Sequence, residues 1–339
     1  MGISPVQIST KRTRTSTWRV RLEVTVLRAA PQCPRESPCP LFTGETGSSI
    51  SSYTREGSTR SSTPESVISM TESLRTRMYR EEYGRGLNNY SEVYRLPADE
   101  EEWSRLEKQH LMNIDMIGAK YPPPMGPVLQ SNIPGEKKVL DLGCGSGAWI
   151  RDVARDFPFC EVVGVDLVPI RDASTLPPNA RNEVDDINFG LSHFYDGYDV
   201  VHCRLIAAGI TDYRLLVDRI ARVLRPGGMV ELMEYDFHTY DRHGQRVPVS
   251  IEESRLGPPW WARFLGHVRA ATTAQGGDTT AATHIRDWVT NCGAFENVSY
   301  HDFWPPVVPG DDERYDEIVY ARMIDIMTVR PRLDQNGRP

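Results

Sequence analysis

The sequence predicts an α/β fold built on a mainly parallel sheet. Three observations carry that prediction. From Lys137 onward, short β-forming runs alternate with segments of helical period, the pattern of successive βαβ units. The first of these runs passes directly into a glycine-rich turn that opens a helix, Val139-Leu140-Asp141-Leu142-Gly143-Cys144-Gly145-Ser146-Gly147. The next two strands each end on carboxylates, Asp166 and then Asp185-Asp186.

Residues 1–77 are expected to form a disordered tail rich in Ser, Thr and Arg. Residues 48–73 hold ten Ser and four Thr, and such a stretch buries too little apolar surface to offset its ordering entropy. The first 40 residues carry a net charge of +5, which leaves −12 on the rest of a chain whose total is −7. A basic, acid-poor start suits a transit peptide or a solvated tail, and the solvated tail is the simpler reading. Position 6 is Val6, so the myristoylation pattern fails. With no hydrophobic period joining it to the rest, the tail is expected to be dispensable for ligand binding. The acidic body argues against a phosphate-backbone partner for the folded part. No apolar run approaches a membrane span. The six cysteines are too irregular for a disulfide framework or a zinc site, so no metal is expected. A reducing setting, cytoplasmic or nuclear, follows.

Order is expected from Met78, and residues 78–125 form a helical lid segment ahead of a ligand-binding domain over 126–339. A helix is predicted over 98–118, with Trp103, Leu106, His110, Ile114 and Ile117 on one stripe. Asp99 and Glu100 to Glu102 suit its positive N-terminus, and Pro122-Pro123-Pro124 blocks its continuation. Strands are predicted at 139–142, 161–166, 182–187, 198–202, 229–233 and 297–303. Helices are predicted at 148–157, 212–224, 258–274, 281–291 and 312–329. Pro226-Gly227-Gly228 punctuates the step from the second of these helices to the fifth strand.

The glycine turn is where an open α/β sheet binds its ligand. Glycine permits the tight turn and the close approach of a ligand to the backbone. A nicotinamide-binding turn reads G-x-G-x-x-G and cradles a pyrophosphate; here the third glycine comes one residue early. Asp141, two residues before the first glycine, would repel a pyrophosphate and suits a cationic aminoacyl end. Asp166 stands where a carboxylate accepts from a ribose diol. Asp185-Asp186-Ile187 can meet an exocyclic amine and a purine edge.

These residues resemble the class I S-adenosylmethionine-dependent methyltransferases. The likeness covers about 137–304 and implies a Rossmann-like sheet with helices on both faces. Residue by residue, it implies that Asp141, Gly143, Cys144, Gly145 and Gly147 line the methionine end of S-adenosyl-L-methionine. Asp166 would hold the ribose with Leu167 beside the adenine, and Asp185, Asp186 and Ile187 would meet the adenine edge. A narrower likeness runs through Tyr83-Gly84-Arg85, Asn88-Asn89-Tyr90, Tyr94-Arg95-Leu96-Pro97, Gln109-His110 and Asp199-Val200-Val201-His202. It is similar to the fungal LaeA-like group, which implies a small-molecule methyl acceptor or regulatory protein partners. The class I fold ends in an antiparallel strand lying between its fifth and sixth, and the sequence after Trp304 offers no strand for that place.

No catalytic residue is legible. His202, Cys203 and Arg204 follow the fourth strand, where the family lines its acceptor pocket, and Tyr235, Asp236 and His238 follow the fifth. His110 and His193 read as structural, and Trp260-Trp261 as helix packing. Three functions stay open: a small-molecule methyltransferase of fungal secondary metabolism, a nuclear regulator acting through partners, and a degenerate cofactor binder.

Overall fold

The computed structural model describes residues 19–29, 71–241, 243–252, 255 and 257–305. Five strands form the parallel centre: β4 (Lys138–Leu142), β5 (Glu161–Asp166), β6 (Ala180–Val184), β7 (Tyr198–Arg204) and β8 (Leu224–Tyr240). With β1 (Arg19–Ala29) and β9 (Phe295–Phe303) they make one seven-stranded sheet in the order β6-β5-β4-β7-β8-β1-β9. The order reverses at β4, so the crevice for a ligand opens beside the carboxyl end of that strand.

β1 is antiparallel to both β8 and β9 and lies between them. The place for which the sequence after Trp304 offered no strand is thus taken from the other end of the chain. Val24 pairs with Met233 on one side and His301 on the other. Of the segment expected to be disordered, residues 19–29 and 71–77 are described, and both are ordered. The signal that finds β1 is strict alternation: Val20, Leu22, Val24 and Val26 interleave with Arg19, Arg21, Glu23 and Thr25. The composition of the flanking tail hides it. The helix expected over 312–329 and the other tail residues lie outside the described residues.

Each face of the sheet buries one apolar cluster. Leu140, Leu142, Val201 and Leu232 meet α5 (Tyr213–Val223) and α7 (Ala281–Cys292). On the other face Val139, Val162, Val200 and Met229 meet α3 (Met125–Leu129) and α4 (Ala148–Asp156). Asp212 caps α5 by accepting from Leu215 N at 2.8 Å. The strands and helices predicted between 137 and 303 are present, with two shifts of note. The fifth strand, expected at 229–233, runs over Leu224–Tyr240 and takes in Pro226-Gly227-Gly228. The third strand stops at Val184, and Asp185-Asp186 lie just beyond it.

Before the sheet come α1 (Glu72–Arg77), the hairpin β2 (Tyr79–Glu82) and β3 (Arg85–Asn88), and α2 (Glu100–Ile117). Tyr83 and Gly84 both adopt positive φ, 53° and 71°, as a tight two-residue hairpin turn requires. Asp99 caps α2, accepting from Glu102 N at 3.1 Å, and also pairs with Arg85 Nε at 2.7 Å. Gly118 ends α2 in the left-handed region at φ 79°. The buried face of α2 carries Glu102, His110, Met112, Asn113 and Met116, rotated from the predicted stripe. His110 is common to both faces, and the buried polar residues Glu102 and Asn113 are ones that an apolar stripe leaves out.

Candidate active site

The glycine turn joins β4 to α4 across the carboxyl end of the sheet. Gly143 N and Cys144 N donate to Val165 O at 2.8 and 3.0 Å, and Gly145 N donates to Asp166 Oδ2 at 2.8 Å. The turn is therefore stitched to the end of β5. A Cβ on Gly143 would stand 2.3 Å from Ile206 Cγ2, and one on Gly147 2.6 Å from Ile170 Cδ1. Both glycines also hold φ near 77°, so a side chain is excluded by space and by backbone alike.

Below the turn, a polar row crosses three strands on one face. Asp141, His202 and Glu231 are direct neighbours in register. All three are buried. His202 Nδ1 lies 2.7 Å from Asp141 Oδ1, and its ring stacks on Trp149 at 3.9 Å and 6°. A histidine so enclosed is held in place, not poised as a mobile base. Burial pushes the Glu231 carboxyl up, against the opposing charges of His202 and Arg204.

Asp166 is the half-buried acid of the site. Burial raises its carboxyl to about 6, while the backbone N–H groups of Gly145, Val168 and Leu167 pull the other way. Asp185 N donates to Asp166 O at 3.0 Å, which sets the ends of β5 and β6 side by side. Asp186 Oδ1 accepts from Asn188 N and Nδ2 at 3.0 and 2.8 Å, so it caps the short turn that begins at Ile187. Asp185 faces His193 at 3.5 Å. Asp141, Gly143, Cys144 and Gly145 converge on one cavity. Asp166, Leu167, Asp185, Asp186 and Ile187 lie along the neighbouring strand ends, and Gly147 caps α4.

The N-terminal segment covers this edge. Leu106 Cδ1 of α2 lies 3.0 Å from where a Gly145 Cβ would stand. His110 Nε2 meets Asp152 Oδ2 at 3.2 Å, and His110 Nδ1 meets Arg204 Nη2 at 3.0 Å. Tyr79 hydroxyl donates to Pro169 O at 3.4 Å, and Tyr94 packs on Gly209. The cavity beneath is about 50 Å³, room for little more than a water or two. A larger open groove of about 430 Å³, lined in part by Phe157 and Phe159, lies at the opposite edge and touches none of these groups.

Sequence reasoning set His110 aside as structural and placed Arg204 beside the acceptor pocket; both line the cavity under the glycine turn. Their spacing in sequence gives no hint, because α2 reaches the sheet through tertiary packing. Asp236 is buried and lies 2.6 Å from His238 Nδ1, with Tyr240 and Arg269 completing the chain. Trp260 is 64% exposed on α6 (Trp260–Ala274), and Trp261 packs against Phe264. Among the described residues, no group of His, Cys, Asp or Glu could hold a metal ion, and no helix is long and apolar enough to cross a membrane.

The strand order, the stitched glycine turn and the two acidic strand ends agree with a family match: a methyltransferase domain aligns with residues 120–294. The chain belongs to the methyltransferase domain family. Relatives of this chain include the secondary metabolism regulator laeA of Coprinopsis cinerea, 50% identical over 77% of this chain and 63% of its own length. The chain thus spans less than two thirds of that relative. The methyltransferase pytC of Aspergillus terreus is 29% identical over 72% of this chain and 70% of its own. Among solved structures, phosphoethanolamine N-methyltransferase 2 of Haemonchus contortus, in complex with S-adenosyl-L-methionine, aligns with 65% of this chain and 56% of its own. That match has 16% identity and a TM-score of 0.34.

Proposed function

We infer that this methyltransferase binds S-adenosyl-L-methionine at the carboxyl edge of β4 and β5 and passes its methyl group to a small molecule of fungal secondary metabolism. The observation that carries the reading is the glycine turn stitched to Asp166, with a second carboxylate, Asp141, at its base. The donor set fits the cofactor. Asp141, Gly143, Cys144, Gly145 and Gly147 would hold the methionine end, Asp166 the ribose diol, Leu167 the adenine face, and Asp185, Asp186 and Ile187 its edge. The bound cofactor supplies an electrophilic methyl group on a sulfonium.

What the chain adds is alignment and exclusion of water, which can supply much of the acceleration of such a transfer. Residues 78–125 act as a lid. Leu106 rests on the glycine turn, so α2 must lift to admit a ligand and then reseat over it. No side chain at the edge is placed as a free base: His202 is held by Asp141 and Trp149. The acceptor therefore meets a positioning site more than a proton-transfer site. The 50% identity to a regulator supports a second reading, in which the same cofactor site serves a protein that acts through partners, in the nucleus or cytoplasm.

The deciding experiment titrates S-adenosylhomocysteine and NAD side by side into the full chain, then incubates it with labelled S-adenosylmethionine and a host metabolite extract. Binding of S-adenosylhomocysteine alone is expected, with label passing to a small molecule. Binding of NAD in its place sinks the cofactor reading. Cofactor binding with no transfer of label favours the regulatory one.

A further inference from the structure

Arg204 ends β7 one pleat above His202, on the face that carries Asp141 and Glu231. Arg204 lines the cavity under the glycine turn. The hydrogen bond described for it runs from Nη2 to His110 Nδ1, 3.0 Å. Among the described residues, no carboxylate pairs with it: Asp141 is engaged by His202, and Glu231 acts on it only through its field. Burial even lowers its pKa, against the pull of those two acids. A guanidinium has five N–H donors in a fixed fork, and enclosing one without an anion is costly.

We propose that Arg204 binds the α-carboxylate at the amino-acid end of S-adenosylmethionine, with His110 on α2 positioning it. The inference rests on the cofactor reading above and assigns a group that the glycine turn and strand-end acids leave unassigned. The fork of a guanidinium matches the two oxygens of a carboxylate. Asp141 stands in the same cavity with the opposite sign. One acid and one guanidinium on a shared wall complement an ammonium and a carboxylate on a shared carbon. A dinucleotide has neither.

His110 makes the arrangement sensitive to the lid. Its Nδ1 accepts from Arg204, so its proton sits on Nε2 and is shared with Asp152. Burial and the charge of Arg204 hold its pKa down, which keeps the ring neutral and able to accept. Arg204 is thereby aimed by a residue of α2, and the seated helix and the carboxylate subsite stabilise one another.

The test uses three ligands on the full chain: S-adenosylhomocysteine, its decarboxylated analogue, and 5′-methylthioadenosine, which lacks the amino-acid end. Wild type is expected to bind S-adenosylhomocysteine about 10–100-fold more tightly than the decarboxylated analogue. Arg204→Gln is expected to erase that preference while leaving the other two ligands within about threefold of wild type. Arg204→Lys should keep part of the preference, and it carries the comparison should the glutamine variant fail to fold. Equal binding of the first two ligands by wild type overturns the proposal without any variant. So does a variant that weakens all three ligands alike, the behaviour of a merely structural guanidinium. If wild type binds none of the three, the cofactor reading itself fails.

Discussion

Asp166 concentrates the energetics of the proposed site in one side chain. One of its oxygens accepts from Gly145 N at 2.8 Å, the backbone N–H groups of Val168 and Leu167 also bear on the carboxylate, and the ribose diol would take its remaining acceptor capacity. Hydrogen bonds to a charged acceptor contribute roughly 1.5–3 kcal/mol each, and two sharing one acceptor add incompletely. Asp166→Ala should therefore weaken S-adenosylhomocysteine binding by roughly 10–1,000-fold, and Asp166→Asn by less; unchanged affinity in the alanine variant removes the ribose assignment. The protonation of Asp166 gives an independent handle. Its pKa is raised from 3.8 to about 6, so the folded chain binds more protons than the unfolded chain between those values. Stability should fall as pH rises through that window. Ligand affinity should move the other way, because the diol donates to the ionised carboxylate. A loss of about tenfold is expected between neutral pH and one unit below the pKa, and Asp166→Asn should flatten that slope. Isothermal titration across the pH range reads both.

At the scale of elements, two pieces from the N-terminal side complete a domain encoded downstream. The first is the proposed lid. Its contacts with the edge are mixed and largely polar: Leu106 on Gly145, Tyr94 on Gly209, His110 on Asp152 and Arg204, Tyr79 on Pro169, and the ion pairs Glu107–Arg151 and Glu100–Arg171. Such a segment opens locally at low cost, and hydrogen exchange over 83–97 should slow on saturation with S-adenosylhomocysteine. Unchanged exchange there would count against closure. The second piece is β1, a central strand with a partner on each side. Proline at such a position deletes a ladder hydrogen bond and is poorly tolerated, so Val24→Pro should cost about 2–3 kcal/mol. A thermal melt that matches wild type would show that the sheet does not depend on this strand. Neither piece was fully legible in the sequence, for different reasons. α2 was found to within two residues at each end because its acidic first turn and the prolines beyond it bracket the helix, but its buried face was misplaced, since the buried Glu102 and Asn113 fall outside an apolar stripe. β1 carries a clean alternation that the basic, Ser-rich surroundings mask.

For the molecule as a whole, what could be read in advance was the part encoded by local patterns. Strand-helix alternation gave the parallel centre, and Gly143, Asp166 and Asp185 marked the edge, since each sits at a strand end that its own sequence defines. Groups that meet only through the fold stayed hidden: Asp141 with His202 and Glu231, and Arg204 with His110. The most remote of these meetings is that of β1 with its neighbours, and it bears on how the protein is made. Residues 19–29 leave the ribosome ahead of every strand they pair with, and Met229, paired with Arg28, follows about 200 residues later. At ~5–20 residues per second, that strand waits about 10–40 s for a partner. During that time an eleven-residue stretch of strand-forming sequence is open to any other unpaired edge nearby. Pulse-labelled refolding should show amides of 19–29 protected last, behind those of β4, β5 and β7, and simultaneous protection would mean the strand docks as part of the nucleus. Its late arrival makes the nascent chain, more than the finished protein, the form that a chaperone has to guard.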